Sequence, residues 1–493
     1  MQIYLQDIHH RYAIEQMLFT LYPGEKAEYV DSPPEIDGLS FYLTGDREHV
    51  VVNCELLCNG TSYSGNAVCD RNLFTNEITE DRNLQRMVKT AFYEAALRSG
   101  HEKPVWGALT GVRPGKLMSE LLHSEGSPEK ALYAFQEQFD VSPERASLCL
   151  DTALVTERVR SELGPKDIGL YVGIPFCPSR CDYCSFVSQS VEKSMQLIPP
   201  FLEALSQEIS ATAEQVKICD LHIVSIYFGG GTPTTLSARE LDILMSDLEK
   251  KFDLSHVREY TVEAGRPDTI TVEKLEVLKK HGVSRISVNP QTMSDRVLQE
   301  IGRKHSAEDV RQALKMVRQI GGLEINMDLI AGLTGDDPEG FFETLNEVLS
   351  LAPENITVHT LSRKKGSRVT KEQKKVPSPK DVAAMLDYAG EQLRKNGYEP
   401  YYLYRQKYMS GGFENVGWCK PGHENLYNIC IMEELCTILA LGGGGSSKLV
   451  QPGDGKNIRL MAPKYSYEYI SHIDKTCRDK QKIKEFYNGI SIG

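Results

Sequence analysis

Cys177, Cys181 and Cys184 stand close together in GIPFCPSRCDYCSF, spaced C-x3-C-x2-C. Thiols this near each other suit a soft metal or redox chemistry. A structural zinc site is closed by four ligands, commonly two separated pairs. Here no second pair follows, and no histidine occurs between residues 175 and 221. A redox C-x2-C pair would use Cys181 and Cys184 and leave Cys177 without a task. A 4Fe–4S cluster normally takes four thiolates. Three thiolates leave one iron open, and a small molecule with an amine and a carboxylate can chelate that iron through both groups.

Polar and glycine motifs follow in order. YFGGGTPT (227–234) carries three glycines, which remove every Cβ and let backbone groups approach a bound amino acid closely. Glu263 ends TVEA, Gln291 follows the run SRISVN, Arg303 comes twelve residues after that, and Asp328 lies in LEINMDLI. Alone, each reads as a solvated or capping polar group. Emerging from successive apolar runs, they read as one ligand site. CELLC (54–58) has no third cysteine at the right spacing and reads as ordinary packing.

Six short apolar runs position these groups: IGLYVGI, HIVSIYF, EYTVEA, SRISVN, LEINMDLI and NITVHTL. Amphipathic stretches at 200–217, 237–250, 271–281, 306–319 and 338–350 separate them. Strands alternating with helices imply a parallel sheet with crossover helices, either a partial (β/α)6 barrel or a doubly wound sheet. Active sites of both lie at strand C-terminal ends. Before this core, residues 1–75 read as strands and turns, and 80–163 as helices, with Ser142 and Pro143 as a helix start. LGPKD (163–167) reads as a linker. The expected division is 1–165, an α+β domain; 166–370, the core; and 371–493, an extension closing the site. Beyond a helix at 379–396, this extension reads as irregular, aromatic and glycine-rich. The net charge of -12 argues against a nucleic-acid or anionic-membrane binder. No apolar run approaches the ~20 residues of a membrane span, and no signal peptide is seen, so a cytoplasmic location is expected.

C-x3-C-x2-C with an aromatic before the last cysteine is the hallmark of radical S-adenosylmethionine enzymes. YVGIPFCPSRCDYCSF, YFGGGTPT, VNPQT with GRKHS, and INMDLIAGL resemble the oxygen-independent coproporphyrinogen III oxidase family of those enzymes. ENVGWCKPGHENLYNICIMEELCTILALGGGG and LTGVRPGKLM resemble its coproporphyrinogen dehydrogenase, or HemZ-type, branch. The resemblance implies a partial (β/α)6 barrel radical-SAM core, a 4Fe–4S cluster on Cys177, Cys181 and Cys184, and S-adenosyl-L-methionine. It places Tyr171 and Tyr183 beside the cofactor. Gly230, Gly231 and Thr232 would receive its methionine moiety. Glu263, Gln291, Arg303 and Asp328 would hold its other polar groups, and loops near Ser362 and Ser446 would complete the site.

The implied reaction is oxidative decarboxylation of coproporphyrinogen III to protoporphyrinogen IX, with Tyr171 and Arg180 as catalytic candidates. Its partners would be a tetrapyrrole and a flavodoxin- or ferredoxin-like one-electron donor. Arg363, Lys364, Lys365 and Arg368 follow the sixth run and could face the substrate's carboxylates. One departure separates the chain from the established oxidases. They carry a further cysteine where this sequence has Phe186, whereas haem chaperones of the family carry an aromatic there, as this chain does. A haem chaperone and a haem-modifying radical enzyme are therefore the alternative readings.

Overall fold

The structure is a computed structural model. It describes all residues except 112, 185–188, 363, 365, 366, 373, 407, 408, 452–456 and 490–493. It resolves into two compact units, Met1–Leu150 with Gly411–Phe413, and Asp151–Ser410 with Glu414–Gly493. No helix among the described residues is long and apolar enough to cross a membrane.

The first unit is built on a five-stranded sheet. Its strands are β1 (Gln2–Gln6), β2 (Glu28–Val30), β3 (Gly38–Gly45), β4 (His49–Cys58) and β5 (Thr61–Asp70), in the order β2-β1-β3-β4-β5. Along β4, Val50, Val52, Cys54 and Leu56 are buried at every second position, as a strand with one face on a core requires. Cys54 is therefore a core residue, and burial pushes its thiol well up. Helices Arg11–Leu21 and Glu77–Arg98 contribute to the same core, and three more helices follow from residue 114. The first of these five lies in a stretch whose sequence reads as strands and turns.

The second unit contains the six expected strands. They are β6 (Asp167–Ile174), and, after two short strands β7 (Phe176–Cys177) and β8 (Gln189–Ser190), β9 (His222–Gly230), β10 (Glu259–Glu263), β11 (Arg285–Ser287), β12 (Glu324–Ala331) and β13 (Asn355–Thr360). β6 and β9 to β13 pair in parallel and in sequence order. Crossover helices fill the gaps, several opened by sequence-legible caps. Ser237 with Glu240 and Ser306 with Asp309 each form a reciprocal capping box.

The region after residue 396 is more regular than its glycine content suggests. β14 (Glu399–Arg405) and β15 (Glu414–Cys419) add antiparallel strands beyond β13. β16 (Thr437–Leu441) joins β6 in parallel, and β17 (Ser446–Val450) and β18 (Asn457–Met461) continue outward. The sheet then has eleven strands among the described residues. It curls enough that Tyr401 and Tyr402 from one end share a core with Ile438 near the other. Among the described residues β14 and β18 are not paired with each other, and the sheet forms a partial barrel.

Candidate active site

β6 delivers the cysteine loop directly to the C-terminal rim. The loop leaves through β7, which pairs in parallel with β8 on its far side. The glycine turn after β9 is stitched to it: Gly231 N donates to Ile174 O at 2.8 Å, and Thr232 N to Phe176 O at 2.7 Å. A Cβ on Gly231 would stand 2.5 Å from the Phe176 carbonyl, so glycine is needed there for backbone packing. Gly230 has φ +102°, a conformation that L side chains rarely adopt. The Thr232 hydroxyl donates to Cys177 Sγ at 3.6 Å.

Asp182 and Tyr183, between the second and third cysteines, anchor the rest of the loop. Asp182 N donates to Ile301 O at 3.0 Å, and its carbonyl accepts from Arg368 N at 2.9 Å. Its carboxylate meets Lys374 Nζ at 2.5 Å and Arg368 Nη1 at 3.3 Å. Arg303, a buried cation, donates through Nη2 to the Tyr183 hydroxyl at 2.6 Å and through Nη1 to Gly265 O at 2.9 Å. Burial raises the Tyr183 hydroxyl well above the usual phenol range, so it stays protonated. Among the described residues Arg303 Nε has no hydrogen-bond partner, and neither does either ring nitrogen of the buried His305. Burial, with Arg303 and Arg266 nearby, lowers His305 to about 4 and keeps it neutral.

A second group of polar residues comes from the next strands. Glu263, at the end of β10, accepts from the Tyr227 hydroxyl at 2.6 Å. Burial raises its carboxyl to about 7; Tyr227 opposes the rise, the Asp328 charge adds to it, and His359 opposes it. Asn326 Nδ2 donates to Asp328 Oδ1 at 2.8 Å, and His359 Nε2 lies 3.7 Å from Asp328 Oδ2. Gln291, with φ +69°, bridges to β12: its N donates to Asp328 O at 2.9 Å. Below them, Tyr171, Tyr227 and Tyr427 stack, with centroids 6.4 Å apart for Tyr171–Tyr227 and 4.4 Å for Tyr227–Tyr427. The Tyr171 hydroxyl lies close beneath Gly229 and Gly230.

The structure thus joins Cys177, Cys181, Tyr183, Cys184, Gly230, Gly231, Thr232 and Arg303 in one braced loop system. Glu263 ends β10, Gln291 follows β11, and Asp328 and Tyr171 lie within β12 and β6. Arg180 is exposed on the loop. Arg368 makes its ion pair within the loop system, while Phe186, Arg363 and Lys365 lie outside the described residues. Tyr227, Asp182, Arg266 and His359 escaped sequence reasoning. Only Tyr227 carried a usable signal, since it falls two residues before Gly229 and so shares its face of β9.

Among the described residues, no three His, Cys, Asp or Glu side chains converge on a single metal ion. The three thiols therefore do not form a mononuclear site as they stand. A 4Fe–4S cluster asks for something else, because each thiolate takes a separate iron.

Three thiols on a loop at the barrel rim, laced to a glycine turn, define a radical S-adenosylmethionine protein. The Radical SAM superfamily model matches residues 171–348. The chain belongs to the oxygen-independent coproporphyrinogen-III oxidase-like family. It is 36% identical, over 98% of both chains, to the "Oxygen-independent coproporphyrinogen-III oxidase-like protein HemZ" of Bacillus subtilis (strain 168). It is also 38% identical to the "Heme chaperone HemW" of the same organism, over 39% of this chain and 49% of that protein. Coproporphyrinogen III oxidase (HemN) from Escherichia coli, a radical SAM enzyme, shares the fold. The TM-score is 0.53 at 23% identity, over 66% of this chain and 73% of that one.

The cofactors of this superfamily are a 4Fe–4S cluster and S-adenosylmethionine. The residues present fit both. The donor set is three thiols and no fourth, and a buried guanidinium with one unpartnered N–H stands beside the loop.

Proposed function

We propose that this chain catalyses the radical S-adenosylmethionine oxidative decarboxylation of coproporphyrinogen III to protoporphyrinogen IX. The reading rests chiefly on one observation: the three-cysteine loop is bonded to the glycine turn and Arg303, with Glu263 and Asp328 on neighbouring strands, in a chain related to HemZ over nearly its whole length. When bound, the cluster and S-adenosylmethionine supply a 5′-deoxyadenosyl radical able to take hydrogen from the β-carbon of a propionate side chain.

The chain's own residues do the rest. Cys177, Cys181 and Cys184 hold the cluster, and Asp182, Tyr183 and Thr232 hold the loop that carries them. Gly230, Gly231 and Thr232 offer backbone groups to the methionine moiety. Arg303, Glu263, Gln291 and Asp328 take the other polar groups of the cofactor, each fixed in place by a partner. The tyrosine stack beneath them excludes water, which would otherwise quench a radical. Lys364 and its basic neighbours Arg363 and Lys365 complement the substrate's four carboxylates, and an unidentified one-electron donor of the cytoplasm serves the cluster.

Phe186, which this chain shares with the family's haem chaperones, favours a second reading, in which the cluster is kept and haem is carried. Anaerobic incubation with coproporphyrinogen III, S-adenosylmethionine and a reductant separates the two. Vinyl products by mass support the decarboxylase. Stoichiometric haem binding without vinyl product replaces it with the chaperone.

A further inference from the structure

Arg266 has no role in the proposed reaction, yet its guanidinium is almost fully enclosed against the cysteine loop, at 3% exposure. It lies on the chain leaving β10, in the segment AGRPDT. Pro267 restricts the residue before it to extended backbone, and Arg266 adopts φ -133° and ψ 109°. A tight turn then fixes the backbone. Thr269 N and Thr269 Oγ1 both donate to Arg266 O, at 2.9 and 2.7 Å. Thr269 also bonds Thr234 of the glycine turn at 2.6 Å. The side chain therefore projects from a rigid base.

Its donors are directed to both sides. Nε and Nη2 meet the two oxygens of Asp268 at 3.1 and 3.4 Å. Nη1 donates to Ser179 Oγ at 3.0 Å and points to Cys181 Sγ at 3.9 Å. Arg303, another cation near Cys181, directs its Nη donors to Gly265 O and the Tyr183 hydroxyl. His305, also close, is neutral. Arg266 thus presents a hydrogen-bonding nitrogen to a loop sulfur.

We propose that Arg266 is an outer-sphere ligand of the cluster that donates to Cys181 and raises the cluster's reduction potential. The inference rests on Cys177, Cys181 and Cys184 being the cluster's ligands. Reduction adds one negative charge, spread in part onto the thiolate sulfurs. A cation donating to one of them stabilises the reduced form more than the oxidised form, and hydrogen bonds to sulfur are among the levers that set such potentials. Asp268 damps the effect by neutralising part of the guanidinium charge.

The test is an anaerobic redox titration of reconstituted protein, followed by electron paramagnetic resonance, without S-adenosylmethionine or substrate. R266Q should retain iron and shift the oxidised-to-reduced ratio about tenfold toward oxidised at a given poise, a fall of about 59 mV for one electron. D268N, which leaves the guanidinium less compensated, should shift it the opposite way. A loaded R266Q with the wild-type potential overturns the proposal, including when its iron content falls, because a mere brace would lower occupancy and not potential. If R266Q takes up no cluster, D268N decides: a potential at or below that of wild type overturns the proposal. Wild-type protein that itself takes up no cluster would instead refute the three-cysteine reading.

Discussion

Replacing Glu263 by Gln should make the second unit more stable at alkaline pH. The carboxyl titrates at about 7 in the folded chain, against 4.5 for an unperturbed group, chiefly because burial disfavours its charge. The sign follows from proton counting. Between about 4.5 and 7 the folded state keeps a proton that the unfolded chain releases, so stability falls as pH rises through this window. At about 1.36 kcal/mol per pH unit, the full loss comes to about 3 kcal/mol above pH 7. That is a ceiling, because the side chain keeps some exposure and water screens its charge. Gln carries no such penalty, and its Oε1 still accepts from the Tyr227 hydroxyl. E263Q should therefore match wild type at about pH 4.5 and exceed it by up to about 3 kcal/mol at about pH 8.5.

The assay is urea unfolding of the apoprotein across this range in a W106F background, which leaves Trp418 on β15 to report the barrel alone. Two parallel pH profiles, or an E263Q variant weaker by the same amount at every pH, would refute the reasoning. The cofactor adds a second reading of the same group. A carboxylate that accepts hydroxyl groups of S-adenosylmethionine must be ionised to do so well. Affinity should then rise with pH through about 7 in wild type and stay flat in E263Q.

Alanine at Cys177, Cys181 or Cys184 should abolish cluster assembly, scored by iron and sulfide content, while Cys54→Ala and Cys58→Ala should not. Arg303→Ala and Asp328→Ala should each retain the cluster and weaken S-adenosylmethionine binding by about 2–5 kcal/mol, measured by equilibrium dialysis, because the proposed roles set each charge against the cofactor. Neutralising Arg363, Lys364 and Lys365 together should raise the apparent KM for coproporphyrinogen III and spare cofactor cleavage measured without substrate. Arg368→Ala alone should change cluster retention by less than about 1 kcal/mol, since that side chain is 61% exposed and Lys374 keeps the stronger contact with Asp182.

Much of this was legible in the sequence because the signals are local. An inward-facing strand repeats at two residues and a crossover helix at 3.6, so six alternating runs define six strands. A rim residue such as Glu263 is found by where its run stops, whereas Asp328 lies inside β12, three residues before its end. The braces were not legible. Asp182 meets Lys374 from 192 positions away, and Tyr227 meets Tyr427 across a gap that no periodicity spans. The glycine turn shows a subtler limit. Its composition suggests room for a ligand, but the group that the missing Cβ of Gly231 admits is the carbonyl of Phe176. Strands β14 and β15 were hidden for another reason: the tyrosines of β14 stack on one another and Gly417 of β15 admits the Tyr402 ring, and neither follows the alternation of a simple amphipathic strand.

The segment HENLYNICIMEE, conspicuous in sequence but without an obvious task there, acquires one from where it bonds. His423 O accepts from Arg285 Nη2 at 3.0 Å and from Asn355 Nδ2 at 2.6 Å; His423 Nδ1 lies 2.8 Å from Glu324; Leu426 N and Tyr427 N donate to Glu259 at 2.8 and 3.2 Å. Glu259, Arg285, Glu324 and Asn355 are the first residues of β10, β11, β12 and β13, so the segment floors the barrel at the end opposite the cysteine loop. The buried Arg285–Glu259 pair, 2.6 Å apart, would be expensive in isolation, but these extra acceptors and donors satisfy both partners. Helix Leu426–Glu433 starts on this floor and sends Tyr427 up against Tyr227, whose hydroxyl holds Glu263. The floor and the rim carboxylate are thereby one mechanical unit. Loosening the floor by removing Tyr427 should therefore be felt at Glu263, through the Tyr227 hydrogen bond, before it is felt at the cysteine loop.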